Sequence, residues 1–325
     1  MPAQNITQTS TMHAVVQHRL GGSEVLRVET VPRPAPLPTE VLVRVHAAGV
    51  NPVDWKTREG HGMAHVLGDP PFVLGWDVAG VVEEVGFGVT TLAVGDRVYG
   101  MPWFPRAAGA YAEYVTAPAR QFTRAPASVS DVQAAAVPLA ALTAWQVLVD
   151  TLHVQPGQRV LITAGAGGVG HFAVQFARHL GAHVVATASA ANHAWLRELG
   201  ADEVVDYHDP GYETRIKDLD AIVELVGGAD GPRLVSALRP GGTIVAVPGG
   251  VSEELAAAAA DADARTSAFL VEPDAGALAR IAELIDAGEV RVEVARTFPL
   301  EEAGRAHELG ETNRTRGKIV LTLDA

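Results

Sequence analysis

Residues 159–178 read RVLITAGAGGVGHFAVQFAR, and no other stretch limits the possible fold as tightly. Val160-Leu161-Ile162 is an apolar run suited to a strand buried on both faces. Gly165, Gly167 and Gly170 follow as G-x-G-x-x-G. Val169, Phe172, Ala173, Phe176 and Leu180 then recur at three- and four-residue spacing, the apolar stripe of an amphipathic helix. A bare glycine motif also suits an α/β turn that binds nothing. Strand, glycine turn and helix in immediate succession instead point to a dinucleotide. In that reading Gly165 permits the tight turn, Gly167 lets the backbone approach a pyrophosphate, and Gly170 lets the helix pack close on the strand. The N–H groups at the helix start face the anion.

The pattern around this stretch sets the fold class. Strands are expected at 160–164, 183–188, 203–206, 221–226 and 243–247, with a sixth over Thr266–Val271 and helical patterns between them. Such alternation is the signature of a doubly wound parallel sheet. Upstream, 13–17, 41–45, 78–85, 97–99 and 112–115 read as short strands separated by glycine turns, so 12–125 is β-rich. Between Asp131 and Thr151 the period becomes helical, and Pro138 splits that segment in two. A helix is expected over 275–288 and a strand over 317–323, while 1–11 is polar and reads as a mobile tail. A length of 325 residues favours two domains sharing a cleft. With 38 acids against 25 bases, a nucleic-acid surface or an anionic membrane surface is excluded. The absence of cysteine removes disulfides, thiol nucleophiles and thiolate-bound zinc. Neither a signal segment nor a membrane-length apolar run is found, so a cytoplasmic location is expected.

Cofactor choice is read from the second strand. Folds that bind NAD usually carry an acid about 20 residues past the glycines, for the ribose 2′-hydroxyl. Here the strand ends Ala186-Thr187-Ala188-Ser189, and no acid occurs in the 47 residues from Thr151 to Arg197. The overall frequency, 38 acids in 325 residues, gives about five for such a window. An acid-free pocket suits the 2′-phosphate of NADP, to which Ser189, Asn192 and His193 have hydrogens to donate. Buried strands with little room for acids would leave the same gap.

Several motifs run nearly end to end: GVNPVDWKTREG at 49–60, GWDVAGVVEEVG at 75–86, VGDRVYG at 94–100, GAYAEY at 109–114, PLAALTAW at 138–145, LGADEVVDY at 199–207 and RGKIVL at 316–321. With AGAGGVG at 164–170 they resemble the zinc-free quinone oxidoreductase group of the medium-chain dehydrogenase/reductase family. That resemblance implies an α/β chain with a GroES-like domain over 12–130, completed by 273–325, and a Rossmann domain over 131–272. It also implies a homodimer. The pyrophosphate is expected on Gly167, Gly168 and Val169, and the adenosine phosphate near Ser189, His193 and Tyr207. The nicotinamide is expected near Val226, Val247 and Phe269 to Val271. Relatives often carry Lys or Arg where this chain has Ala191, which weakens the preference for NADP.

Departures from zinc-dependent relatives also carry information. Those enzymes have a Cys within the segment equivalent to GVNPVD and Gly-His-Glu where this chain has Gly75-Trp76-Asp77, so Asn51 and Trp76 stand at two ligand positions. Neither a catalytic zinc nor the four-cysteine lobe is expected. Stabilising the oxyanion that forms on hydride arrival then falls to hydrogen-bond donors. The resemblance puts Asn51 beside the ribose and substrate, and Thr143 near the nicotinamide. Lys56 stands where many relatives have Tyr. Its ammonium either anchors the developing oxygen or is a surface cation paired to Asp54 or Glu59. Trp55, Trp76 and Trp103 offer an aromatic wall or simple core packing. The expected activity is NADPH-dependent reduction of a quinone or another conjugated carbonyl. Two alternatives remain: a nucleotide-binding redox sensor or structural protein with little turnover, and alcohol/aldehyde interconversion.

Overall fold

The structure is a computed structural model that describes residues 10–323. Residues 1–9 of the expected tail lie outside that range, and Thr11 already belongs to the first strand. In chain order the first part comprises β1 (Thr11–Gln17), β2 (Leu26–Pro32), β3 (Glu40–Val50), α1 (Pro52–Arg58), α2 (Ala64–Leu67), β4 (Phe72–Val73), β5 (Asp77–Val85), β6 (Arg97–Gly100), β7 (Tyr114–Pro118) and β8 (Phe122–Arg124). The strand expected at 112–115 is shifted to β7, and Ala112 makes only an isolated bridge to Ala14. The chain then runs through α3 (Asp131–Ala135), α4 (Pro138–Trp145), β9 (Arg159–Ile162), α5 (Gly170–His179), β10 (His183–Thr187), α6 (His193–Leu199), β11 (Glu203–Val205) and β12 (Leu219–Glu224). It ends with α7 (Asp230–Leu234), β13 (Leu238–Ala246), α8 (Glu253–Asp261), β14 (Arg265–Ala268), α9 (Ala275–Asp286), β15 (Val294–Pro299), α10 (Ala303–Glu311) and β16 (Lys318–Thr322).

The second part is a six-stranded sheet in the order β11-β10-β9-β12-β13-β14, with every pairing parallel. Its middle strands are apolar on both faces because both faces are covered. Val160, Ile162, Val223 and Val245 pack with Phe172, Phe176 and Leu278 on one side. Leu161, Ile222 and Ile244 pack with Leu234 and Leu255 on the other. The order reverses beside β9, so a crevice opens at the carboxyl ends of β9, β10 and β12. Gly170 makes this start compact: a Cβ there would lie 2.2 Å from Ala164 O and 2.8 Å from Gly165 Cα.

The first part holds a seven-stranded sheet, β15-β16-β3-β5-β6-β8 with β7 on β3, and a small sheet β2-β1-β4. The chain thus leaves this sheet after β8 and returns to it at β15 and β16. α3 begins at a capping box, where Ser130 Oγ accepts from Gln133 N (3.3 Å), and Pro138 at the start of α4 separates the two helices. Asp274 caps α9 by accepting from Gly276 N (2.8 Å) and Ala277 N (3.0 Å).

Leu161 is fully buried at the centre of the parallel sheet. Leu161→Ala should therefore cost about 2–5 kcal/mol of stability, read as a lower urea midpoint at unchanged slope.

Candidate functional site

The carboxyl ends of the parallel strands face a cleft of about 770 Å³, closed from the other side by Val50 to Val53, Trp55 and Lys56 and by residues around Gly317 and Lys318. The glycine turn forms its floor. Ala164, not Gly165, takes the left-handed backbone (φ 46°) of the tight turn. Gly165 is small for a different reason: its Cβ would sit 3.0 Å from Ala186 Cβ and 3.4 Å from Leu196 Cδ1, under α6. A Cβ on Gly167 would meet only Ala164 O (3.2 Å) and otherwise fill the cleft. The N–H groups of Gly168 and Val169 donate to no backbone acceptor among the described residues. This open backbone at the start of α5 fits a dinucleotide pyrophosphate. Buried His171 stiffens the turn, Nδ1–H donating to Gly167 O (3.0 Å), and burial pushes its pKa down to about 4, so it is neutral.

Asn51, Lys56, Thr143, Gly167, Gly168, Val169, Gly170, Tyr207, Val226, Val247, Phe269 and Val271 all line this one cleft. Phe269 to Val271 do so from beyond the end of β14, since the sixth strand stops at Ala268. Thr143 Oγ donates to Leu139 O (2.7 Å), which leaves it only lone pairs to offer a ligand. Glu224, buried at the end of β12, accepts from Val226 N (2.7 Å) and Gly227 N (2.9 Å) and so shapes the Val226 turn. Lys56 is exposed at the rim and makes no ion pair among the described residues. Asp54 is buried elsewhere and Glu59 pairs with Arg58 (2.6 Å), so neither expected partner takes Lys56.

Gly165, Ser189 and His193 lie outside the set of residues that line the cleft. Ser189 Oγ accepts from Asn192 Nδ2 (3.2 Å), and the His193 ring hydrogen-bonds to Ala188 O (3.1 Å), so this loop is bonded to itself. Asp206, at the end of the next strand, accepts from Ala190 N (2.9 Å) and His208 N (2.9 Å). The His208 N–H chiefly holds it below the usual carboxylate range. It brings an acid to the loop that a search along 151–197 cannot find. Of the three Trp residues only Trp55 faces the cleft, joined there by Phe104. Trp76 is core, its Nε1–H on Arg106 O (2.7 Å), and Trp103 Nε1–H donates to Thr116 O (2.8 Å).

Behind Asn51 lies a charged cluster that the sequence reading passed over. Asn51 Nδ2 donates to Asp77 Oδ2 (2.8 Å), while Lys318 Nζ donates to Asn51 Oδ1 and to Val50 O (2.9 Å) and lies 3.6 Å from Asp77 Oδ2. All three residues are buried. Burial pushes the Asp77 carboxyl up and the Lys318 ammonium down, each partly offset by the other's charge. Gly49 makes the room, for a Cβ there would lie 2.6 Å from Asp77 Oδ2. Lys318 had one visible signal: it is one of three lysines in the chain and directly precedes the apolar run of β16. A second buried chain reaches Asn51 from α10. Arg58 donates to His307 Nδ1 (3.4 Å), His307 Nε2–H to Tyr111 Oη (3.1 Å), and Tyr111 to Asp54 Oδ2 (2.9 Å), which also accepts from Asn51 N (2.7 Å).

Comparison with known proteins agrees with this architecture. Residues 37–127 match the alcohol dehydrogenase GroES-like domain, and residues 199–321 match zinc-binding dehydrogenase. The solved quinone oxidoreductase of Coxiella burnetii superposes with a TM-score of 0.92 at 37% identity, over 97% of this chain and 100% of that one. This chain belongs to the medium-chain dehydrogenase/reductase family, in its quinone oxidoreductase group. The 2-haloacrylate reductase of Burkholderia sp is 34% identical over 95% of this chain and 98% of its own length. The chloroplastic NADPH-dependent alkenal/one oxidoreductase of Arabidopsis thaliana is 33% identical over 98% of this chain and 82% of its own. Members of this family that use zinc have ligands where this chain has Asn51 and Trp76. An indole in the core and a carboxamide bonded to an ammonium do not fit a zinc ion. Among the described residues no group of three or more His, Cys, Asp or Glu is placed to hold a metal.

Two outcomes follow. Gly167→Val should lower dinucleotide affinity more than tenfold in calorimetric titration while leaving the melting temperature nearly unchanged. The second concerns Asp54, which burial pushes up to about 7 from its ordinary 3.8. The folded chain then keeps a proton that the unfolded chain releases. This contribution is fully present below the ordinary value and is lost as pH rises through about 7. Relative to Asp54→Asn, the wild type should lose stability as pH rises from about 5 to 7, on the order of 1 kcal/mol per pH unit, in urea unfolding.

Proposed function

We propose that the protein is a zinc-independent reductase of conjugated carbonyls and quinones that uses NADPH. The observation that carries this reading is one cleft lined by an open glycine turn, by the Asn51 carboxamide and by Lys56, which makes no ion pair among the described residues. A reduced nicotinamide held on that turn would supply a hydride, two electrons and a proton, to the β-carbon of an enone, and the resulting enolate would take a proton from water. Asn51 and Lys56 offer hydrogens to the oxygen on which that charge develops. Thr143 has lone pairs for a carboxamide donor, while Leu139, Phe104 and Met63 give the substrate an apolar wall. For the 2′-phosphate, the acid-free end of β10 and Tyr207 at the cleft favour NADPH, and Asp206 opposes it. Alcohol oxidation by a metal-bound alkoxide is disfavoured, because an indole and a carboxamide bonded to an ammonium stand where the zinc ligands would have to be.

Oxidation of NADPH over a panel of enones, quinones and ketones tests the assignment, and turnover confined to simple ketones would overturn it. NADPH should also bind more tightly than NADH, and equal dissociation constants would remove the NADPH preference. Lys56→Met should lower turnover about 10²-fold, more for enones than for quinones, with NADPH affinity within twofold of wild type. Turnover within twofold of wild type for both substrate classes would remove Lys56 from the chemistry.

A further inference from the structure

The buried cluster behind Asn51 places two opposite charges against a single carboxamide. The chemistry of those partners fixes which edge of the amide faces which way. An ammonium carries only hydrogens to give, so it has to meet the carbonyl oxygen of Asn51; an ionised carboxylate carries only lone pairs, so it has to meet the nitrogen. The observed contacts follow that rule, with Lys318 Nζ on Oδ1 and Nδ2 on Asp77 Oδ2 (2.8 Å). Asp77 is itself held, its Oδ1 accepting from Leu139 N (2.7 Å). The backbone N–H of Asn51 is committed to Asp54 (2.7 Å). One hydrogen of Asn51 remains uncommitted, the second on Nδ2, in a residue that lines the cleft.

A buried ion pair adds little net stability, since desolvation offsets most of its attraction. Its use here is directional. We propose that Lys318 and Asp77 are positioning residues that lock the polarity of the Asn51 carboxamide, so that the cleft always meets an N–H donor and never the carbonyl. The lock selects substrates whose reacting oxygen becomes negatively charged and opposes groups that need an acceptor there. This inference rests on the reading of Asn51 as the donor to that oxygen.

The test needs a variant that frees the amide without burying a lone charge. Lys318→Met combined with Asp77→Asn removes both charges at nearly constant volume. The probe is 4-nitrophenolate, an oxyanion that binds without turnover, titrated by its absorption in the presence of NADP⁺. In the double variant, phenolate affinity and enone turnover should each fall about tenfold or more, with NADP⁺ affinity within twofold and little change in melting temperature. Phenolate affinity and turnover within twofold of wild type would overturn the lock, provided Asn51→Ala abolishes both. If Asn51→Ala also leaves both intact, the donor role of Asn51 fails, and with it the proposal. Should the double variant not fold, neutron diffraction from wild-type crystals holding 4-nitrophenolate decides the same point. Deuterium on Asn51 Nδ2 directed at the phenolate oxygen sustains the lock, and Oδ1 facing the ligand, or no contact, overturns it.

Discussion

At the cleft the two parts of the molecule meet at Gly317 and Lys318, where the chain entering β16 is bonded to both. Gly317 N donates to Ala166 O (3.0 Å) in the glycine turn, and the next residue, Lys318, sends its ammonium to Val50 O and Asn51 on the opposite wall. The stem of that lysine lies against the turn as well, since a Cβ on Gly168 would come within 3.0 Å of its Cδ. An unpaired buried ammonium would be too costly to persist, so Asp77 and the two acceptors are conditions for the join, not additions to it. These bonds join the glycine turn to the wall that carries Asn51.

Rigidity behind Asn51 comes from the second chain of bonds. Arg58 has only hydrogens to give, which fixes His307 Nδ1 as an acceptor and so places the ring hydrogen on Nε2. That hydrogen goes to Tyr111, whose own hydroxyl is thereby turned toward Asp54. Burial pushes the His307 pKa down to about 3, so the ring stays neutral and the direction of the chain does not change near neutral pH. The series ties α1, α10 and the loop at Tyr111 into one support for the start of α1. Asn51 thus has its backbone held by one network and its side chain by another.

What was legible in the sequence was whatever is written locally. The apolar run at Val160 to Ile162, the glycines and the stripe ending at Leu180 specify β9, the turn and α5 without reference to the rest of the chain. Pro138 likewise marked the break between α3 and α4. Errors appeared wherever a role depends on what the fold brings alongside. Gly165 is small because of Ala186 and Leu196, about 20 and 30 residues away, and the strained turn falls on Ala164. Lys318 lies 267 residues from Asn51 along the chain, a separation no local pattern can bridge.

The two cations near the cleft act under different physics. Lys56 stands in water at the rim, where solvent and salt screen its charge and its long side chain has to be ordered by the substrate. Lys318 is buried and fully committed, so it cannot move to a developing charge. What reaches the substrate is the orientation it imposes on one carboxamide. A dipole fixed in advance needs no reorganisation when charge appears, and in a dry site it is worth more than the same dipole in water. Paired with Asp77, it also leaves the resting cluster without net charge, so the empty cleft carries no large desolvation penalty of its own. A metal ion would concentrate more charge at that point but would demand a group of ligands that is not found there among the described residues. The arrangement suits reactions in which charge appears on one oxygen and is soon neutralised by a proton, as it is on the way from an enone through an enolate to a saturated ketone.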